Sequence, residues 1–162
     1  MTKKIFYLLL ALALPGLIFI FLKLFGKNHF DIPVYYKEGV SDLPTECRGA
    51  YHGQYVVPDS ILKTIGWKNG DALLVVGATE REQIELAKIQ NKTKENSLQI
   101  ISLDNLEPTR LKILQDCVLF LKDPFDVVLI DKQKRIRGYF ALNSREEIDR
   151  LEVETEILLT NN

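Results

Sequence analysis

Hydrophobic positions in this chain form one long block near the start and several short blocks in the second half. The long block is Ile5–Leu22, about 18 residues without a charge, close to the ~20 that carry a helix across a bilayer. Pro15 and Gly16 interrupt it, which membrane helices tolerate when the freed backbone groups find other partners. A cleaved signal peptide is the alternative reading. Its apolar core is shorter, roughly 7–15 residues, and ends in small residues, whereas this run ends Phe19-Ile20-Phe21-Leu22-Lys23-Leu24-Phe25. The expectation is an uncleaved membrane anchor over residues 1–27. Lys3 and Lys4 lie before the block and Lys23 and Lys27 after it, so charge does not settle its orientation.

Residues 28–58 keep no apolar period, and Pro33, Gly39, Pro44, Gly49, Gly53 and Pro58 punctuate them. They read as an irregular linker running into a loop or short hairpin. From residue 59 to 162 the pattern sharpens. Gly66-Trp67-Lys68-Asn69-Gly70 is a turn into Ala72–Val76, an apolar run fit for a strand buried on both faces. Thr79-Glu80-Arg81-Glu82 is a capping box that predicts a helix to about Lys92. Leu98–Leu103 is the next strand, completing a βαβ unit with parallel strands. A short helix near Thr109–Leu114 and an apolar run Cys117–Leu121 follow. Val127–Ile130 then pairs as a hairpin with Arg135–Phe140 through a polar turn. Ser144-Arg145-Glu146-Glu147 starts a C-terminal helix with Ile148, Leu151 and Leu158 facing inward. This order, βαβ and then ββα, is the thioredoxin arrangement. The predicted fold class is therefore α/β, thioredoxin-like, with one N-terminal transmembrane helix.

Composition changes this picture in two places. The net charge of −1 argues against a nucleic-acid surface, which needs a basic stripe against phosphate. The only cysteines are Cys47 and Cys117, too few for a disulfide scaffold, though one bridge is possible in an oxidising compartment. Cys47 precedes His52 by five residues and suggests a metal pair, but a useful site needs three or four ligands. The blander reading is a loop cysteine beside an incidental histidine. Cys117 opens an apolar run and reads as a small buried hydrophobe; whether it bridges to Cys47 stays open. Lys132, Lys134, Arg135 and Arg137 make a basic hairpin that reads first as a solvated face. Asp123-Pro124 marks the bend before the following strand. No serine has a base placed near it in sequence, and no glycine-rich phosphate loop occurs.

The stretch Val128–Phe140 with Glu146-Glu147-Ile148-Asp149-Arg150-Leu151 resembles the C-terminal part of the Sco/SenC family. Those are membrane-anchored thioredoxin-like proteins that help deliver copper to cytochrome c oxidase. The anchor, Phe30-Asp31-Ile32-Pro33-Val34-Tyr35-Tyr36 and Tyr55-Val56-Val57-Pro58-Asp59 are similar to versions from the Bacteroidetes group. The family's Cys-x-x-x-Cys at the helix mouth falls on Gly77-Ala78-Thr79-Glu80-Arg81-Glu82, and its ligand histidine falls at about Asp123. All three copper ligands are missing, and soft Cu(I) wants thiolate or thioether.

The resemblance thus implies a member without catalytic, cofactor-binding or metal residues. The expected function is a non-catalytic binding or scaffold role in respiratory cytochrome oxidase assembly. Its partners would be the membrane, through the single N-terminal helix, and oxidase subunits or assembly factors, with no nucleic acid. Sco-like proteins also imply a single pass through the inner (plasma) membrane with the domain on the periplasmic side. The alternative is a thiol-disulfide oxidoreductase or metal carrier using Cys47 or Cys117.

Overall fold

The computed structural model describes residues 3, 7, 13–21, 31–41, 43–47, 51–93 and 98–160. The chain divides into two compact units, Met1–Asp31 and Ile32–Asn162. In the first, residues 13–21 are helical and exposed throughout, with Leu17 64% and Phe19 69% accessible. Of the expected span Ile5–Leu22, only Tyr7 and residues 13–21 lie among the described residues. Among these no helix is long and apolar enough to cross a membrane.

The second unit is a mixed α/β domain. A two-residue ladder opens it, β1 (Gly39–Val40) antiparallel to β2 (Tyr51–His52). Then come α1 (Asp59–Thr64), β3 (Asp71–Val75), α2 (Glu80–Lys92), β4 (Leu98–Ser102) and α3 (Pro108–Leu114). A π-helical turn, Gln115–Leu119, continues α3; β5 (Val127–Ile130), β6 (Ile136–Phe140) and α4 (Arg145–Thr160) complete the chain. The main sheet has the order β4-β3-β5-β6. β3 and β4 are parallel, and β5 is antiparallel to both β3 and β6. This mixed sheet with its helices is compatible with a thioredoxin-like arrangement.

Sequence pattern and position agree closely at the centre. Every residue of β3, β5 and β6 is buried; for Ala72–Val75 and Val127–Ile130 that is what continuous apolar runs covered on both faces should do. On one face Leu73, Val75 and Leu129 meet Leu86 and Ile89 of α2 and Leu151 and Leu158 of α4. On the other, Leu74 and Val128 meet Leu62, Trp67, Leu114, Leu119 and a group of aromatic rings. The predicted capping box at Thr79–Glu82 forms with both its hydrogen bonds. Ser144 caps α4 by accepting from the Glu147 N–H at 3.4 Å. The Asp123–Pro124 peptide is cis.

Four expectations need correction. The segment 28–58 is not merely a linker: Ile32, Val40, Tyr55 and Val57 are buried in the core, the last three in the cluster with Leu74 and Val128 and Ile32 in the cluster with Leu73, Leu129 and Phe140. Helix α1 breaks the stretch expected to carry only a turn before β3; Leu62 is its one buried side chain, too little to show as a period. The run Cys117–Leu121 continues α3 as a π-turn and then reverses at Phe120, at φ 53°. The basic hairpin is a solvated face only in part: Lys132 is exposed, while Lys134 and Arg135 are partly covered. Arg137 is buried, donating to Asp131 at 3.1 Å and to the Ile32 carbonyl at 2.6 Å. Arg135 also pairs with Asp131, and Lys134 with Asp59.

Candidate functional site

The loop Gly77-Ala78-Thr79 between β3 and α2 is where the resemblance would put the reactive residues. Gly77 turns the chain at φ +67°, which favours glycine. Its N–H donates to Asp104 Oδ1 at 2.7 Å, and the Ser102 hydroxyl donates to Asp104 Oδ2 at 2.9 Å. The Thr79 N–H and hydroxyl both donate to Glu82 Oε2, at 2.8 and 2.7 Å, while the Glu82 N–H donates back to Thr79 Oγ1 at 3.4 Å. Gln83 Nε2 donates to the Ala78 carbonyl at 3.1 Å. A helix N-terminus attracts anions because its first N–H groups lack partners. Here Thr79 Oγ1 takes the Glu82 N–H of the first turn, and the carboxylates of Glu82 and Asp104 take the Thr79 and Gly77 N–H groups just before it. Among the described residues the mouth holds no thiol, thioether or imidazole. Asp123 is exposed on the loop before β5.

The two cysteines are brought together elsewhere. Cys47 and Cys117 form a disulfide with Cα atoms 5.3 Å apart across a sequence separation of 70, so the reading of Cys117 as a free buried hydrophobe is corrected. The sequence left this pairing open because two positions so far apart meet only through tertiary folding. Cys47 ends a turn in which its N–H donates to the Pro44 carbonyl at 2.9 Å. Cys117 stands in the π-turn and lines a cavity of about 510 Å³ with Glu46, Lys112, Ile113 and Asp116. Lys112 and Asp116 are paired at 2.9 Å, which raises the lysine's pKa. Glu46 and Asp116 each adjoin a cysteine in sequence.

His52 is exposed on β2, and the disulfide takes up the sulfur that would have been its co-ligand. Among the described residues no three His, Cys, Asp or Glu side chains are grouped to hold a metal ion.

The aromatic group behind the disulfide went unread in the sequence. Tyr55 and Tyr139 donate to the carbonyls of Val118 and Leu119, at 2.8 and 2.7 Å, and so hold the π-turn that presents Cys117. Phe120 packs on Tyr36 and Tyr55 with ring centroids 4.9 and 4.8 Å away. Burial pushes the Tyr55 and Tyr139 hydroxyls well above the usual phenol range, so they stay protonated and serve as donors. Tyr35, Tyr36, Tyr51 and Tyr55 lie in the segment that lacked an apolar period, which left spacing with no signal to offer.

Comparison with protein-family models, with curated proteins and with solved structures finds no match to this chain.

Proposed function

We propose that this chain is a non-catalytic, thioredoxin-like protein, resembling the Sco/SenC family and anchored by its N-terminal helix, which acts by binding partners in respiratory cytochrome oxidase assembly. One observation carries the reading. The helix mouth carries Thr79, Glu82 and Asp104 where relatives would hold sulfur, while the only two cysteines are spent on a bond elsewhere. A framework kept without its reactive side chains fits a protein that works through its surface.

The strand order β4-β3-β5-β6 supports the thioredoxin-like part of the proposal. The apolar side chains exposed along residues 13–21 support the anchor, since a bilayer is the solvent that would accept them. A disulfide persists in oxidising compartments and so supports a domain on the periplasmic side of the inner membrane. The experiment is affinity purification of the tagged full chain from solubilised membranes. Oxidase subunits or assembly factors are expected in the eluate; their consistent absence overturns the assembly role.

The thiol-disulfide alternative has a single observation in its favour, the bonded pair Cys47–Cys117. It requires an incoming thiolate to attack one sulfur, form a mixed disulfide and release the other as a thiol. Reduction of insulin by the pre-reduced chain, lost in Cys47→Ser, would establish it in place of the scaffold reading.

A further inference from the structure

Two cavities adjoin the Cys47–Cys117 bond. One, of about 510 Å³, is lined by Glu46 from the loop that carries Cys47 and by Lys112, Ile113 and Cys117. The other, of about 250 Å³, lies between Gly39, Ser41 and Pro44 and, facing them, Asp116, Phe120 and Lys122. Asp116 lines both. The loop and the π-turn thus meet across a seam that side chains do not fill. Among the described residues no hydrogen bond or ion pair joins residues 39–47 to residues 115–122. Leu43 packs on the aromatic core; across the seam itself the disulfide is the tie.

Backbone strain sits at the same place. Phe120 closes the π-turn at φ 53°, and Tyr36, whose ring centroid lies 4.9 Å from that of Phe120, is at φ 55°. Left-handed backbone is costly for bulky side chains and persists only where surrounding contacts enforce it. Tyr55 and Tyr139 hold the carbonyls of Val118 and Leu119 from the core side, and the disulfide holds Cys117 from the loop side. Losing the second hold frees the turn to relax while the first keeps it attached. Cys47 and Cys117 are half-buried, and Cys117 lines the larger cavity, so a thiol reaches the bond without opening the sheet.

We propose that the Cys47–Cys117 bond is a reversible latch, opened by a dithiol reductant, that frees residues 43–47 from the π-turn and merges the two cavities into one groove. A thiolate of the dithiol attacks Cys117 Sγ, on the cysteine that lines the cavity. The Cys47–Cys117 bond breaks, and Cys47 leaves as a thiolate that takes up a proton. The reductant's second thiol then displaces Cys117 as a thiol. Two electrons and two protons have passed to the chain, and the reductant ends as a disulfide. Closing reverses the exchange. The latch acts on this chain's own shape; it requires neither the assembly role nor turnover of a substrate, and stands or falls apart from both.

The test uses the full chain in detergent, without denaturant, and dithiothreitol as the dithiol. Thiol titration is expected to show both cysteines reduced within about tenfold of the rate found for the chain in urea. On reduction, amide hydrogen exchange at Cys47, Phe120 and Leu121 is expected to quicken by about tenfold or more, because these N–H groups bond within the loop and the π-turn. The amides of β3 and β5 keep their protection, and reoxidation restores the first profile. The double variant Cys47→Ser, Cys117→Ser is expected to exchange as the reduced chain does and to ignore dithiothreitol. If that variant misfolds, the reduced unmodified chain decides alone. A bond that yields only as fast as the whole chain unfolds, exchange at Phe120 and Leu121 that reduction leaves unchanged, or protection lost across the sheet each overturns the proposal.

Discussion

Asp131 sits fully buried at the turn between β5 and β6, and four groups converge on its carboxylate. Oδ1 accepts from the N–H groups of Gln133 and Arg135, both at 2.9 Å, and Oδ2 accepts from the Arg135 and Arg137 guanidiniums at 2.7 and 3.1 Å. A buried charge is tolerated when paired and hydrogen-bonded, and removing one partner costs far more than the pair contributes. Asp131→Ala is therefore expected to destabilise the chain by about 3–5 kcal/mol, read from urea unfolding of the full chain in detergent. Glu154 behaves in the opposite sense. Burial raises its pKa, against the lowering effect of Arg150. A carboxyl whose folded pKa lies above its unfolded value costs stability once pH passes the unfolded pKa. Glu154→Gln is expected to raise the melting temperature at neutral pH, with the gain vanishing below the ordinary carboxylate range. A gain that persists at acid pH would assign the effect to packing instead. Neither role was visible in sequence: Asp131 looked like a turn residue and Glu154 like one charge among several on a helix.

At the scale of elements, local and tertiary causes separate cleanly. The α2 cap is local. Thr79 and Glu82 are three residues apart, and that spacing alone places hydroxyl and carboxylate on the first turn. Thr79→Ala is expected to cost about 1 kcal/mol, measured by thermal unfolding. The loop before β2 is tied differently, through Cys47 to the π-turn at Cys117. Closing so long a separation restricts the unfolded chain by about 4 kcal/mol in the chain-entropy account. The double variant Cys47→Ser, Cys117→Ser is expected to lose stability of that order, with faster proteolysis around residues 43–47. An unchanged unfolding midpoint would show that the aromatic group holds the loop unaided. The helix and strands of the βαβ unit were legible because capping and apolar runs are short-range. Helix α1 was not, since one buried leucine makes no pattern.

For the molecule as a whole, the reading as an anchored periplasmic protein predicts two outcomes in cells. Protease added to spheroplasts is expected to digest the domain, and full protection would place it on the cytoplasmic side. Alkylation without reductant is expected to modify neither cysteine, because both sulfurs are bonded in the oxidised chain. The amino-acid order alone determined the α/β class, the order of the second-half elements, the caps of α2 and α4, and the missing thiols at the helix mouth. Each of these depends on residues within a few positions of one another. Only the tertiary structure decided that Cys47 meets Cys117, that Arg137 turns inward to the Ile32 carbonyl, and that Ile32, Val40, Tyr55 and Val57 complete the core. Those contacts join positions dozens of residues apart, and no local period encodes which distant partner a side chain will meet.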